Sequence, residues 1–299
     1  MMESVTNTLL SWIPSIRENT SVEQTRLPET QKRNLRILIA EDIPINQRIA
    51  SEVIKMCGYD VDIAENGKRA VQMQSVNLYD LIFMDCQMPV MDGFEATRNI
   101  RKEEQSTGKH PCKIVALTAG TSTRDKKAFF DAGMDGFLGK PFKVDDIRRV
   151  LIEHFGASAY PEPQGKNLNG VELISSAEDT EDIDDAAISA IIQIETQTGR
   201  PILKEVYGGF CVQMDQKLSE FHSAYLADDK TQLQSISHAI KSMSANLGAK
   251  KIKSLSGNIE NALKSSGEVD FSRAHRSMET AYTEFCSEFL SRYEDSLKN

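Results

Sequence analysis

The chain has 299 residues, with 35 Lys and Arg against 44 Asp and Glu, for a formal net charge of −9. That length leaves room for about two domains, and the acidic balance argues against a phosphate-tracking nucleic-acid surface. Cys57, Cys86, Cys112, Cys211 and Cys286 are odd in number and lack metal-ligand spacing, which argues against a disulfide framework or a zinc site. A reducing, cytoplasmic setting fits this cysteine usage. No apolar run approaches the roughly 18 residues that a bilayer span requires.

Residues 1–33 read as a tail. Leu9–Ile16 is apolar but short, is broken by Pro14, and follows an acid, Glu3, rather than a basic region, so it does not read as a signal peptide. Arg17–Arg33 is polar and reads as linker. The chain has no room for an ATP-binding kinase domain and no glycine-rich lid.

From residue 34 to residue 156 short apolar runs alternate with amphipathic stretches. The strand expectations are Arg36–Ala40, Val61–Ala64, Leu81–Met84, Lys113–Leu117 and Gly136–Leu138. The stretches Pro44–Met56, Lys68–Gln74, Gly93–Lys102, Arg124–Ala132 and Val144–Phe155 read as helices. This alternation implies a parallel α/β sheet. Four of the runs end in a polar group: Glu41 and Asp42, Asp85, Thr118, and Lys140. In an open parallel sheet, ligands and chemistry sit at the carboxyl ends of the strands, so these residues should converge.

Met84-Asp-Cys-Gln-Met-Pro-Val-Met-Asp-Gly93 resembles the phosphoacceptor motif of response-regulator receiver domains. The resemblance implies a doubly wound, flavodoxin-like sheet of five parallel strands in the order 2-1-3-4-5, with Asp85 as phosphoacceptor. Three carboxylates at close range repel one another, and oxygen-only ligands select a hard cation such as Mg²⁺. The family pattern implies that Asp42 and Asp85 bind it directly, Glu41 through water, and the backbone carbonyl of Gln87 completes the site. Lys140 would then pair with the phosphoryl group and Thr118 would hydrogen-bond it. The same pattern implies a cis bond before Pro141 and an aromatic switch at Phe137. Glu41 stands where many relatives have aspartate, and it still supplies a carboxylate.

After Phe155 the composition changes. Residues 157–184 hold Pro161, Pro163 and all but the last residue of an acid run, Ala177–Asp185, and read as an acidic linker; the last aspartates of the run cap the next helix. From residue 185 to 299 the periodicity is helical: Ala186–Thr198, Ile202–Ala227, Thr231–Leu247, Lys251–Ser265 and Phe271–Leu297 imply an all-α antiparallel bundle. Leu233, Ile236, Ile240, Met243 and Leu247 form a core stripe, which puts His238 on the opposite, solvent face with Ser242 and Ala245. The stretch His238–Ala249 resembles the phosphoacceptor helix of histidine-containing phosphotransfer domains. The resemblance makes His238 a second phosphoacceptor and gives Lys241 the role of balancing phosphate charge. Ser242 stands where that family usually has glycine.

Together the resemblances describe a phosphorelay intermediate, similar to the carboxyl-terminal end of a hybrid histidine kinase. Phosphate would pass from a separate histidine kinase to Asp85, then to His238, then to a downstream response regulator. The alternatives are a non-transferring module that titrates kinases or regulators, or a fragment of a hybrid kinase. No basic recognition helix suggests nucleic acid as a partner.

Overall fold

The computed structural model describes residues 34–108, 110–118, 123–159, 182–265 and 269–298. The stretch Leu9–Ile16 and most of the acidic linker lie outside them. Five strands, β1 (Ile37–Ala40), β2 (Val61–Ala64), β3 (Leu81–Asp85), β4 (Lys113–Thr118) and β5 (Gly136–Gly139), form one sheet in the order β2-β1-β3-β4-β5. Every pairing is parallel, with Ile37 opposite both Val61 and Leu81, and Asp85 opposite Leu117.

Successive side chains of a strand point to opposite faces. Ile37, Ile39, Leu81, Phe83, Val115 and Leu117 face one core, while Leu38, Ala40, Ile82, Met84, Ile114 and Ala116 face the other. The central strands are therefore apolar throughout. Helices α1 (Pro44–Met56) and α5 (Val144–Phe155) supply Ile49, Val53, Ile147 and Leu151 to the first core. Helices α2 (Gly67–Asn77), α3 (Gly93–Thr107) and α4 (Thr123–Asp131) supply Ala70, Ala96, Ile100 and Phe129 to the second.

α3 runs five residues past the expected end at Lys102. Its extra turn is polar in sequence but anchored, because Glu104 is buried, pairs with Arg101 at 2.7 Å and accepts the Cys112 amide at 2.8 Å. α2 extends by one residue before and three after the expected Lys68–Gln74, capped at its start by Asn66 on the Arg69 amide at 2.8 Å.

The second half is helical: α6 (Asp185–Thr198), α7 (Ile202–Leu226), α8 (Lys230–Asn246), α9 (Lys250–Lys264) and α10 (Phe271–Lys298). Asp184 and Asp229 cap α6 and α8 through the amides of Ala186 and Gln232. The stripe Leu233, Ile236, Ile240, Met243 and Leu247 is buried as expected. The ends of the expected linker are ordered. Residues 157–159 form a 3₁₀ turn whose Ala159 carbonyl accepts the Tyr59 hydroxyl, and Ile183 makes a bridge with Ala249 in the α8–α9 turn.

Lys32–Asn299 form one unit, and α1 is where its halves meet. A helix lying on a sheet ordinarily buries one stripe. α1 buries 8 of its 13 residues, including the polar Asn46, Ser51 and Glu52, because α6, α7 and α8 cover its outer side. As a result, a single apolar cluster runs from Phe83 and Leu117 through Ile45 and Ile49 into Phe210 and Ile240.

Gly93 fixes the loop after β3. A Cβ there would lie 2.1 Å from the Asp85 carbonyl oxygen and 2.9 Å from Met84 Cγ. We expect Gly93→Ala to push α3 off the strand end and destabilise the fold by about 1–3 kcal/mol, the scale of overpacking in a dense interior. Urea unfolding would show a lower midpoint; an unchanged midpoint would mean the loop has slack.

Candidate functional site

The polar strand ends converge. Asp85 closes β3, Glu41 and Asp42 follow β1, Thr118 closes β4 and Lys140 follows β5. Carboxylate oxygens of Glu41, Asp42 and Asp85 all lie within 4.8 Å of one another. The Lys140 ammonium sits 2.6 Å from Glu41 Oε2 and 2.5 Å from Asp85 Oδ2, and its amide donates to the Thr118 carbonyl at 2.7 Å. The Lys140–Pro141 bond is cis. Lys140, expected at the polar end of its strand, is buried there as the counter-charge of two buried acids. Further donors hold the acids in place: Asn46 Nδ2 reaches Glu41 Oε1 at 2.9 Å, and the Gln87 amide reaches Asp85 Oδ1 at 3.2 Å.

Burial and crowding set the charges. Burial, with the negative charges of Asp85 and Asp42, pushes the Glu41 carboxyl up to about 8 against the pull of Lys140. Burial and Asp85 raise Asp42 to about 6. Burial also favours a neutral Asp85, but the Lys140 ammonium and then His238 outweigh it and hold that carboxyl below its ordinary value. For Lys140, burial opposes the charge, while Asp85 and Glu41 more than offset it and keep the ammonium protonated. Three oxygen ligands on this spacing fit a hard divalent cation. Phe137 is half-buried, packed against Phe129 at 6.0 Å between centroids and under the Lys126 ammonium at 5.0 Å.

The second candidate residue lies against the first site. His238 was placed on a solvent face, but its side chain is only 14% exposed. A helical wheel registers only the core of its own bundle, and the face opposite that core is covered here by the sheet domain. Ser242 and Ala245, its neighbours on that face, are buried too. The Ser242 hydroxyl lies 3.3 Å from Lys140 Nζ.

Two partners of His238 were not visible in the sequence reading. The first is Glu260 on α9, 1% exposed, whose Oε1 lies 3.2 Å from His238 Nδ1. Lys241 at 3.1 Å and Lys264 at 2.5 Å bind the same carboxylate. Burial would raise Glu260, but the hydrogen bond from His238 and the two ammonium groups hold it well below the usual carboxylate range. An ionised acceptor at Nδ1 favours the proton there and leaves Nε2 as the acceptor nitrogen of the ring. The signal was present: Glu260 is the single acid on α9 and lies one turn after buried Ser256, on the core side. The second partner is the Gln87 side chain. With its NH₂ turned toward the imidazole it donates to Nε2 at 3.2 Å and Glu260 Oε1 at 2.9 Å, lies against Nδ1, and accepts from Lys264 at 3.2 Å.

Residues 37–152 match the family model described as a response regulator receiver domain, and residues 205–288 match that of an Hpt domain. Among curated proteins, the chain is 43% identical over 140 residues to hybrid signal transduction histidine kinase B of Dictyostelium discoideum, covering 44% of this chain and 7% of that one. It is 40% identical over 127 residues to hybrid signal transduction histidine kinase K of the same organism, covering 40% of this chain and 10% of that one. The chain thus spans a tenth or less of these relatives. Among solved structures it is similar to the receiver domain of sensor histidine kinase PA1611 from Pseudomonas aeruginosa PAO1, which holds a magnesium ion in its active-site cleft. That match has 37% identity and a TM-score of 0.38, over 42% of this chain and 99% of that one. The chain therefore carries a receiver domain followed by an Hpt domain, and its relatives are hybrid histidine kinases; it is a phosphorelay component.

The Glu260 contact predicts a fixed tautomer. In ¹⁵N-detected NMR, His238 should show one form protonated at Nδ1. Glu260→Ala should give a mixture, and Glu260→Gln, which keeps an acceptor, should largely restore it. Identical spectra for all three proteins would remove Glu260 from this role.

Proposed function

We propose that this chain relays a phosphoryl group between Asp85 and His238. The observation that carries the reading is the placement of the acid cluster against His238 across the interface, with Gln87, two residues past Asp85, touching the imidazole.

An oxygen of the Asp85 carboxylate attacks the phosphorus of a phosphohistidine on a separate histidine kinase. A P–O bond forms, the P–N bond breaks, and the leaving imidazole keeps the electron pair. Lys140 and the Thr118 hydroxyl then bind oxygens of the acyl phosphate. In the second step the Nε2 lone pair of His238 attacks phosphorus, and the Asp85 carboxylate leaves. Glu260 stabilises the positive imidazole so formed through Nδ1–H, and Lys241 balances charge on the phosphoryl group. Gln87 has to turn its amide away from Nε2 before that attack. A downstream response regulator takes the group from His238.

Mg²⁺ is the cofactor that suits the acid cluster, held by Glu41, Asp42, Asp85 and the Gln87 carbonyl. When bound it neutralises charge on the phosphoryl group. Among the described residues no helix is long and apolar enough to cross a membrane, which is consistent with a cytoplasmic relay.

Acetyl phosphate with Mg²⁺ should label Asp85 with a base-labile phosphoryl group, absent in Asp85→Asn. The label should then move to His238, at a rate independent of protein concentration, and stay on the receiver in His238→Gln. Label that never leaves Asp85 in the wild type would favour a module that titrates kinases or regulators without transfer.

The raised acids make metal binding pH-dependent. Mg²⁺ needs Glu41 and Asp42 ionised, so its apparent affinity should climb from pH 6 to pH 8, with protons released on binding. Calorimetry in two buffers of different ionisation enthalpy measures that release. Without metal, the native state keeps a proton on Glu41 that the unfolded chain loses above its ordinary value of 4.5. Stability of the metal-free protein should therefore fall as pH rises from about 5 to 8. A flat profile would remove these acids from the site's charge balance.

A further inference from the structure

Where α1 meets α8, three buried polar side chains bond across the interface. Asn46 Nδ2 donates to Ser242 Oγ at 3.0 Å, and Asn246 Nδ2 donates to Asn46 Oδ1 at 2.7 Å. All three residues are nearly or fully removed from solvent. We propose that Asn46, Ser242 and Asn246 form a specificity clasp that matches this Hpt domain to its own receiver domain. The inference deepens the relay reading and rests on it for its rate measurement; a second measurement, of docking, stands apart from it.

The physical basis is an asymmetry of hydrogen bonding. A matched pair of buried polar groups adds modestly to binding, while one left without its partner in a dry place is strongly unfavourable. Asn46 uses both ends of its amide: the oxygen takes the Asn246 donor, and the nitrogen serves Ser242 and Glu41 together. A receiver with an apolar residue at position 46 would leave the Asn246 amide stranded against hydrocarbon and Ser242 with the Lys140 ammonium as its remaining partner there. Such a site discriminates sharply between a partner that bonds and one that does not. The two arginine ion pairs of this interface discriminate less. Arg48 with Glu205 at 2.8 Å and Arg200 with Glu52 at 3.4 Å are ion pairs whose arginines reach solvent, so water can take the place of either arginine's partner.

Ser242 extends the clasp toward the chemistry. Its hydroxyl is within 3.3 Å of the Lys140 ammonium, so the residue that stands in place of the family's usual glycine touches both α1 and the charge centre of the receiver. The clasp therefore fixes the register of α8 on the receiver at the level of Asp85.

The test uses the full chain in four forms: wild type, Asn46→Leu, Asn246→Leu, and the double variant Asn46→Leu with Asn246→Leu. Each is loaded at Asp85 from acetyl phosphate and Mg²⁺, and transfer to His238 is timed. Hydrogen exchange of residues 44–56 reports docking in the same proteins. Each single variant should transfer about ten-fold more slowly and lose protection along α1 by a similar factor, the scale of one stranded buried amide. The double variant, apolar facing apolar at similar volume, should recover most of both. Single variants that exchange like the wild type, or a double variant no better than Asn46→Leu, would overturn the clasp. In the second case Asn46 would act inside the receiver, through Glu41. If the wild type transfers no label, the relay reading fails, and the exchange data alone decide the clasp.

Discussion

The acid cluster at the end of the sheet is the constraint on which the rest depends. Glu41, Asp42 and Asp85 meet where β1 and β3 have already excluded water, and like charges there cannot stand without a counter-charge. Lys140 supplies it, and its placement needs β5 to end at the right height beside β4, which in turn pairs with β3. The loop after β3 must stay tight against the Asp85 carbonyl, which only Gly93 permits. A buried ion cluster is weak support for stability, because desolvation offsets most of the attraction. Its value is positional: it holds Asp85 ionised and leaves two neighbouring acids close to neutrality.

The same logic recurs on the Hpt side with the signs reversed. Glu260 is buried and kept ionised by two lysines and an imidazole, so one negative charge organises three basic groups. Two clusters, one rich in acid and one rich in base, face each other across a small gap. Gln87 bridges them through its side chain, while its backbone amide is tied to Asp85. The first cluster has more acids than bases and the second more bases than acids, so their charges are complementary across the interface, and His238 helps to hold Asp85 ionised.

Much of the receiver was legible in the sequence because each functional group lies within a residue or two of the end of its own strand. Reading Leu81 to Asp85 or Gly136 to Lys140 is enough to place the group, and the parallel sheet does the rest. The Hpt half was less legible. Its core stripe follows from spacing, but Glu260 reaches His238 from the next helix, 22 residues on. The exposure expected for His238 was wrong for a related reason: the wheel describes one helix against one core, and here a second domain occupies the other side. Ser242 read as a departure from a family pattern, whereas its hydroxyl meets Lys140 and Asn46. The added turn of α3 was hidden because Glu104 is anchored by a backbone amide eight residues away, which no periodicity encodes.

α1 gives its inner face to the sheet and its outer face to the bundle, where Asn46 meets Ser242, one turn along α8 from His238. The face of α8 that carries His238 is thus already taken by a tenant from its own chain. Under the relay proposed above, a second receiver that uses this face competes against a tethered rival whose local concentration is on the order of millimolar. Under that same proposal, occupancy is a matter of turn-taking, and the rate at which this chain's own receiver undocks would set the ceiling on throughput.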